Sequence, residues 1–323
     1  MQGSESLGTL FRYVIELQTP DAPDLTEVVT ANINVKQLVG KEFNVIIELE
    51  GRGFMAGIGA GTREINGLVT SARFVRAENR RGIYEILLEP WLVLATRTSD
   101  YKIFQNKTVV EIIQEVLADY TYPMELRLSN TYPPRVFQTQ YGETDADLLF
   151  RLMQEWGIST FWEHKGGKHT LILVDDAGAH RPFDSAAYQT VNFYGPTAKI
   201  DEEYISQFAT AESLQPSWFV QDDFDFTKPR ARLQNKIKMP RKTGHNTQEL
   251  YKWPGDFFDA DEGRALTRVR MEEAGAPGSR GQGSGNLRAM VPGCTFKLQK
   301  YPQDKANKEY LIIAASLSLH ESS

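Results

Sequence analysis

The side chains with the greatest capacity for chemistry are five histidines, one cysteine and a few carboxylate clusters, so their spacing comes first. His164 and His169 flank Gly166-Gly167 on opposite arms of a tight hairpin and could in principle approach one metal ion. A closed site needs further donors, and only Glu163 stands adjacent, with no cysteine nearby. Both histidines therefore read more simply as surface residues. His180, His245 and His320 are isolated, with no G-x-S-x-G elbow or H-E-x-x-H helix to use them. The lone Cys294 excludes an intramolecular disulfide and a thiolate metal cluster, and reads as a small core residue.

The carboxylates behave similarly. Asp222, Asp223 and Asp225 alternate with Phe224 and Phe226, a spacing unlike a calcium loop and expected of a strand with one wet face. Glu262, Glu272 and Glu273 read as a solvated helix face. Gly51, Gly53, Gly57, Gly59 and Gly61 follow a strong strand and invite a phosphate-loop reading. A phosphate loop must open a helix, and neither G-x-G-x-x-G nor a G-K-[ST] ending is present, so a glycine-rich hairpin connection is expected. No catalytic, cofactor-binding or metal-ligating residue emerges, and a non-enzymatic protein without a cofactor is expected.

Composition narrows the partners. The 323 residues suffice for more than one core, and 36 basic against 42 acidic side chains leave a formal charge of −6. No global positive field exists to hold nucleic acid or anionic lipid. No apolar run approaches the ~20 residues of a membrane span, and MQGSESLGTLF lacks a basic region followed by an apolar block. Folding in the cytosol and no membrane anchor are expected.

The elements that would position these side chains are clearest from Gln140 to Glu163. Thr144 with Asp147 forms a capping-box pattern, Leu148, Leu149, Leu152, Met153 and Trp156 make an apolar helical stripe, and Gly157 suits a left-handed cap. Beyond Gly157 the period falls to two, and Thr160 to His164 pairs through Gly166-Gly167 with Thr170 to Val174. Thr108 and Glu111 open a second helix whose buried face is Val109, Ile112, Ile113, Val116 and Leu117. A third helix is expected over Gly263 to Ala274, with Asp259 or Asp261 as its cap.

The flanks read as strands. These run Leu10 to Leu17, Glu27 to Val35, Glu42 to Leu49, Gly67 to Arg76 and Gly82 to Leu88, then return after Gln189, notably Leu287 to Leu298 and Tyr310 to Leu319. Gly275 to Gly285, like Gly51 to Gly61, is expected to be a mobile loop. The pattern is β-rich ends around a helical middle.

Several motifs in one order then resemble a known family. Gln140, Tyr141, Glu143, Asp145, Arg151, Leu152, Gly157, Ile158 and Phe161 match a Q-Y-x-E-x-D, R-L, G-I-x-aromatic-F-type series. Upstream, EPWLVLATRTSDYKIFQNKTVVEIIQEVL runs from Glu89 to Leu117. Downstream stand Trp218, DFDFTKP at Asp223 to Pro229, YKWPGDF at Tyr251 to Phe257 and PGCTFKLQKYP at Pro292 to Pro302. Together, across about Leu10 to Ile313, they resemble VgrG, the type VI secretion spike family, whose N-terminal half is similar to the baseplate hub of contractile-tailed phages. Asp147-Leu148-Leu149 replaces a usual aromatic, and Lys300-Tyr301-Pro302 stands where histidine often precedes proline.

The resemblance implies a β-rich α+β fold: two tail-tube-like antiparallel β-barrels with smaller helix and hairpin insertions. It implies a first barrel over residues 1–98, a helix-plus-hairpin domain over 99–180, and a second barrel with a helical insertion over 181–323. It further implies a homotrimer whose six barrels form a ring matching a hexameric, Hcp-like tail-tube protein. Baseplate proteins would be neighbours, and an oligonucleotide-fold neck and trimeric β-helical needle would lie downstream. The implied function is mechanical, a hub assembled in the cytoplasm and driven outward by sheath contraction. The alternatives are the hub of a contractile-tailed prophage or tailocin, and a monomeric carbohydrate-binding β module.

Overall fold

A computed structural model describes residues 1–52, 61–195, 201–257 and 259–320. Its largest sheet has six strands, in the order Ala314–Ser318, Gln2–Ser6, Arg12–Gln18, Arg81–Glu89, Gly61–Glu78 and Glu42–Leu49. Every pairing in it is antiparallel. Alternation places these strands: Tyr13 and Ile15 are buried, while Arg12, Val14 and Glu16 between them face water. Two register shifts along the 18-residue strand Gly61–Glu78 bend it, curling the sheet so that one face closes over a core. The glycine-rich connection expected between Gly51 and Gly61 lies mostly outside the described residues, but the strands that it joins pair up to Leu49 and Gly61.

The helical middle follows its caps. Thr108 and Glu111 make both bonds of the capping box on the helix Val109–Leu117. Thr144 accepts from the Asp147 amide to start the helix Asp145–Trp156, and Gly157 ends it at φ 69°. Side chains other than hydrogen are excluded twice at Gly157, by that φ and because a Cβ would stand 2.9 Å from Val269. The hairpin Ser159–Lys165 and Lys168–Val174 continues into Met124–Arg127, which joins in parallel. Phe11, Ile65, Leu88, Trp91, Ile113, Leu149 and Leu171 belong to one core that spans the six-stranded sheet, both helices and the hairpin.

Three segments depart from expectation. Glu27 to Val35 forms a short helix, Glu27–Ala31, and a turn at Val35–Gln37 instead of a strand. Its valines carry no burial, Val28 being 73% exposed, and its anchor is Thr30, whose hydroxyl donates to the Arg80 carbonyl at 2.7 Å. The Gly275 to Gly285 segment is ordered: Ser279–Gly285 pairs antiparallel with Ile205–Glu212. A strand ladder uses backbone groups alone, so poverty in side chains did not prevent it. Of the expected strands Leu287 to Leu298 and Tyr310 to Leu319, the paired parts among the described residues are Cys294–Gln299, Glu309–Leu311 and Ala314–Ser318. The third helix spans Ala260–Gly275, with Asp259 accepting from the Asp261 and Glu262 amides, so Asp259 and not Asp261 is its cap.

Trp156 is 5% exposed and is packed between the edge of Tyr132, at 5.9 Å, and the Arg135 guanidinium, 5.3 Å from its ring centre. Truncating it opens a large cavity at the end of the apolar stripe. Trp156→Ala is expected to lower unfolding free energy by about 3–5 kcal/mol, read from the midpoint of urea denaturation.

Candidate functional site

The hairpin tip docks on the long strand through polar groups. Glu64 accepts from the Gly166 and Gly167 amides at 3.1 and 2.8 Å. Asn66 donates from its side chain to the Gly167 carbonyl at 2.8 Å and from its backbone to His164 Nδ1 at 3.0 Å. Its Oδ1 lies 2.6 Å from His169 Nδ1, while His169 Nε2 accepts from the Trp91 amide at 2.8 Å. Because Nε2 accepts, Nδ1 carries the proton and donates to Asn66. His169 is thus a neutral, fully bonded imidazole. Burial first, and then the neighbouring His164, push its pKa from an ordinary 6.5 down to about 3.

Behind the hairpin lies a buried ion pair. The Arg63 guanidinium donates to Glu5 Oε1 at 2.8 Å, to Tyr13 Oη at 3.1 Å and to the Arg288 carbonyl at 2.9 Å. Tyr13 also donates to Glu5, and His164 Nε2 stands 3.8 Å from Glu5 Oε2. Burial alone would raise the Glu5 pKa, but His164, Arg63 and Tyr13 outweigh it and bring the carboxyl down to about 2. A similar knot holds Glu203, whose carboxylate accepts from the Gly51 amide at 3.0 Å and from the Tyr188 hydroxyl.

These findings correct the surface reading of the two histidines. His164 and His169 do come together, with ring centres 6.3 Å apart, but as docking elements under the hairpin. Among the described residues no three His, Cys, Asp or Glu side chains cluster as a metal site would require. His180 is buried, with Nδ1 2.8 Å from the Gly293 carbonyl. Cys294 is half-buried, and burial pushes its thiol up to about 12, far from a reactive thiolate at neutral pH. Asp222, Asp223 and Asp225 lie past the strand Trp218–Gln221, not along it, and stabilise turns. Asp223 accepts from the Asp256 amide at 2.7 Å, and Asp225 from the Thr227 amide at 2.8 Å. Glu272 and Glu273 are exposed, as a solvated helix face requires.

Glu5, Tyr13, Arg63, Asn66 and Arg288 were missed because no local spacing joins them; Glu5 and Arg63 are 58 positions apart. One signal was available. Arg63 shares strand parity with buried Ile65, so a charge sat on the core-facing side.

The outward faces differ in character. The ribbon of Ser99–Lys107 and Arg135–Thr144 buries Phe104 and Gln140 on one side. Its other side presents Tyr101 and Tyr141, edge to face at 5.1 Å, with Ile103 and Phe137 beside them. Tyr141 is 80% exposed. Grouped in this way, these side chains differ from the singly scattered apolar residues ordinary on a protein surface. The arrangement offers internal polar clasps and outward apolar faces.

The profile of the phage tail baseplate hub (GPD) family matches residues 4–323. The chain belongs to that family. The hub chain is 32% identical over 317 residues to the type VI secretion system spike protein VgrG1a of Pseudomonas aeruginosa, a match covering 98% of the chain and 46% of VgrG1a. It is also 32% identical to VgrG1b of the same organism over 319 residues, covering 98% of the chain and 40% of that protein. The hub chain thus spans less than half the length of these curated relatives. Among solved structures, the E. coli c3393 protein, a type VI secretion component, superposes with a TM-score of 0.67 at 19% identity, over 99% of this chain and 70% of that one. The 43 kDa tail protein of prophage MuSo2 from Shewanella oneidensis gives 0.60 at 12% identity, over 98% and 88%. The β-rich fold with curled antiparallel sheets is therefore that of tail and spike hubs.

The clasp has a pH signature. Between pH 6.5 and about 3 the unfolded chain protonates His169 and the folded hub does not, so stability falls as pH falls through that window. Glu5 adds a loss only below its ordinary 4.5. The unfolding free energy from urea denaturation is expected to decline from pH 7 to pH 5, by up to about 1.4 kcal/mol per pH unit near the lower end, and His169→Gln should flatten the slope. A native profile level over that range contradicts a neutral buried His169.

Proposed function

We propose that the chain is a structural hub of a contractile injection machine, at the base of a type VI secretion spike. Its task is to adapt a hexameric tube to a trimeric spike. The observation that carries this reading is the baseplate hub match across residues 4–323. Each chain contributes two barrel units, over residues 1–98 and 181–323, with residues 99–180 as a peripheral helix-plus-hairpin unit. Three chains form the ring, a tube-protein hexamer stacks on one end, and baseplate proteins surround it. The hub is not an enzyme; its work is to bear load when the sheath contracts. It assembles in the cytoplasm and is expelled with the spike.

A prophage-tail hub is the second reading, favoured by the likeness to the MuSo2 tail protein over 88% of that chain. A sheath, a tube protein and an ATPase encoded beside the gene indicate secretion, whereas capsid genes indicate a phage.

Light scattering over a wide concentration range, with and without the tube protein, tests the hub. The expected result is a concentration-dependent rise towards the mass of a trimer, and a larger complex when the tube protein is added. A strict monomer that ignores the tube protein, even with the downstream neck joined to it, overturns the proposal.

A further inference from the structure

A small sheet stands apart from the six-stranded one. Its strands run in the order Asn235–Lys238, Trp218–Gln221 and Glu249–Lys252, the first pair antiparallel and the second parallel. Cross-strand partners share a face, so Lys238, Trp218 and Glu249 stand in one row and Lys236, Val220 and Tyr251 in the next. The opposite face carries Phe219 and Asn235 and turns to the helix Ala260–Gly275, where a Cβ at Gly263 would stand 2.4 Å from the Asn235 amide nitrogen. The lysine face is therefore the outward one.

Most polar groups on that face are donors. The Trp218 ring holds two ammonium groups, Lys236 Nζ at 4.2 Å and Lys238 Nζ at 4.7 Å from its centre. Glu249 neutralises Lys236 at 2.6 Å, but Lys238 has no carboxylate partner among the described residues. The Trp218 indole N–H and the hydroxyl of Tyr251, a side chain 58% exposed, likewise meet no partner among the described residues. The surrounding sequence is one-sided too. Between Phe226 and Gln248 stand seven lysines and arginines and no carboxylate, in a chain of formal charge −6. Lys236 and Arg241 are in ion pairs, whereas Arg230, Arg232, Lys238 and Lys242 are exposed and unpaired among the described residues.

The far end of the same sheet is acidic. Past Gln221 and Lys252, Asp223 accepts from the Asp256 amide, and Asp222 lies beside it in the chain. The strand Trp218–Gln221 has 4 residues, so about 13 Å of sheet separates the two ends. A nucleic acid or an anionic bilayer spreads its charge evenly over a longer span and would meet these aspartates as well as the lysines. A protein segment can be acidic over a few residues and neutral beyond them. Tyr251, and Trp253 just past the strand at 64% exposure, offer such a segment an apolar hold.

We infer that this face receives a short, extended, acidic segment of a different protein, its carboxylates bridging Lys236 and Lys238 and an apolar side chain lying on Tyr251 and Trp253. The charges steer the encounter and the aromatic groups hold the segment, so binding weakens with salt but does not vanish. The inference goes beyond the hub reading and does not rest on it, since none of these residues belongs to the six-stranded sheet or to the hairpin clasp.

Fluorescence anisotropy with the full chain tests it. The probe is a fluorescein-labelled peptide in which glutamate alternates with threonine around one leucine. It is compared with the same peptide carrying lysine for glutamate, with labelled oligothymidine, and with phosphatidylglycerol vesicles by co-sedimentation. Saturable binding of the acidic peptide alone is expected. Lys236→Glu with Lys238→Glu should weaken it about tenfold at low salt, and Tyr251→Ser should weaken it at low and high salt alike. Lys36→Glu with Lys41→Glu makes the same change in net charge at two exposed lysines elsewhere and should leave binding nearly unchanged. Unaltered urea midpoints confirm that each variant is folded. Absence of saturable binding, or an equal loss from the Lys36 and Lys41 pair, overturns the inference. Tighter binding of oligothymidine or of vesicles assigns the face to nucleic acid or lipid and overturns it as well. Loss of self-association in the Lys236→Glu, Lys238→Glu chain makes the face a contact between copies, with the same consequence. Binding of the tube protein is read separately, so failure here leaves the hub reading standing.

Discussion

The docking of the hairpin Ser159–Lys165 and Lys168–Val174 onto the long strand Gly61–Glu78 is the constraint on which the arrangement of this molecule depends. It is made by polar groups inside an apolar core, where an unpaired group is far more costly than a paired one is beneficial. Removing Glu5 or Arg63 from water costs several kcal/mol for each ion, and their mutual attraction roughly offsets this only with good geometry. Most of that geometry is present: Glu5 faces Arg63, Tyr13 and His164, and Arg63 reaches on to the Arg288 carbonyl, while Arg63 Nε and His164 Nε2 have no hydrogen-bond partner among the described residues. Any slip in strand register would bury one of these charges alone. The cluster therefore selects one arrangement of the N-terminal strands, the hairpin and the Arg288 segment more than it adds net stability.

Around this clasp the apolar core supplies the bulk of the free energy. Phe11 meets Trp162 edge-on at 5.7 Å, and Trp91 meets Trp162 the same way at 5.9 Å while stacking on Tyr122 at 5.3 Å. These rings bridge the N-terminal sheet and the hairpin, so the two share one core instead of meeting at a soft boundary. Packed interiors are barely compressible and transmit strain, so this continuity makes the sheet and the hairpin one mechanical unit. The contrast lies at the surface, where Tyr101, Ile103, Phe137 and Tyr141 are exposed together on one ribbon.

Much of the secondary structure was legible in the sequence because it is decided locally. The helix starts at Thr108 and Thr144, the stop at Gly157 and the Gly166-Gly167 turn each rest on bonds within a few residues. The misread segments are those in which a distant partner decides. Glu27–Ala31 has three consecutive β-branched residues, Val28, Val29 and Thr30, yet forms a helical turn, held by Thr30 reaching the Arg80 carbonyl. Ser279–Gly285 looked too poor in side chains for order, but Ile205–Glu212 supplies a complete backbone ladder. His169 looked exposed because its partners, Asn66 and Trp91, are about a hundred and about eighty positions away.

By itself, then, the sequence determined the starts of the two central helices, the Gly157 stop, the hairpin, the β-rich ends and, through an ordered set of short motifs, the family. These depend on periodicity, capping and turn chemistry, all of which act over one or two turns of chain. It also left no residue pattern for a nucleophile, a metal or a cofactor. Only the tertiary structure decided that Glu5, Tyr13, Arg63, Asn66, His164 and His169 form one buried cluster, and that Ala314–Ser318 closes the first sheet beside Gln2–Ser6. The reason is physical: burial and strand pairing join residues with no sequence relation, and a polar group's role is set by whether water can still reach it.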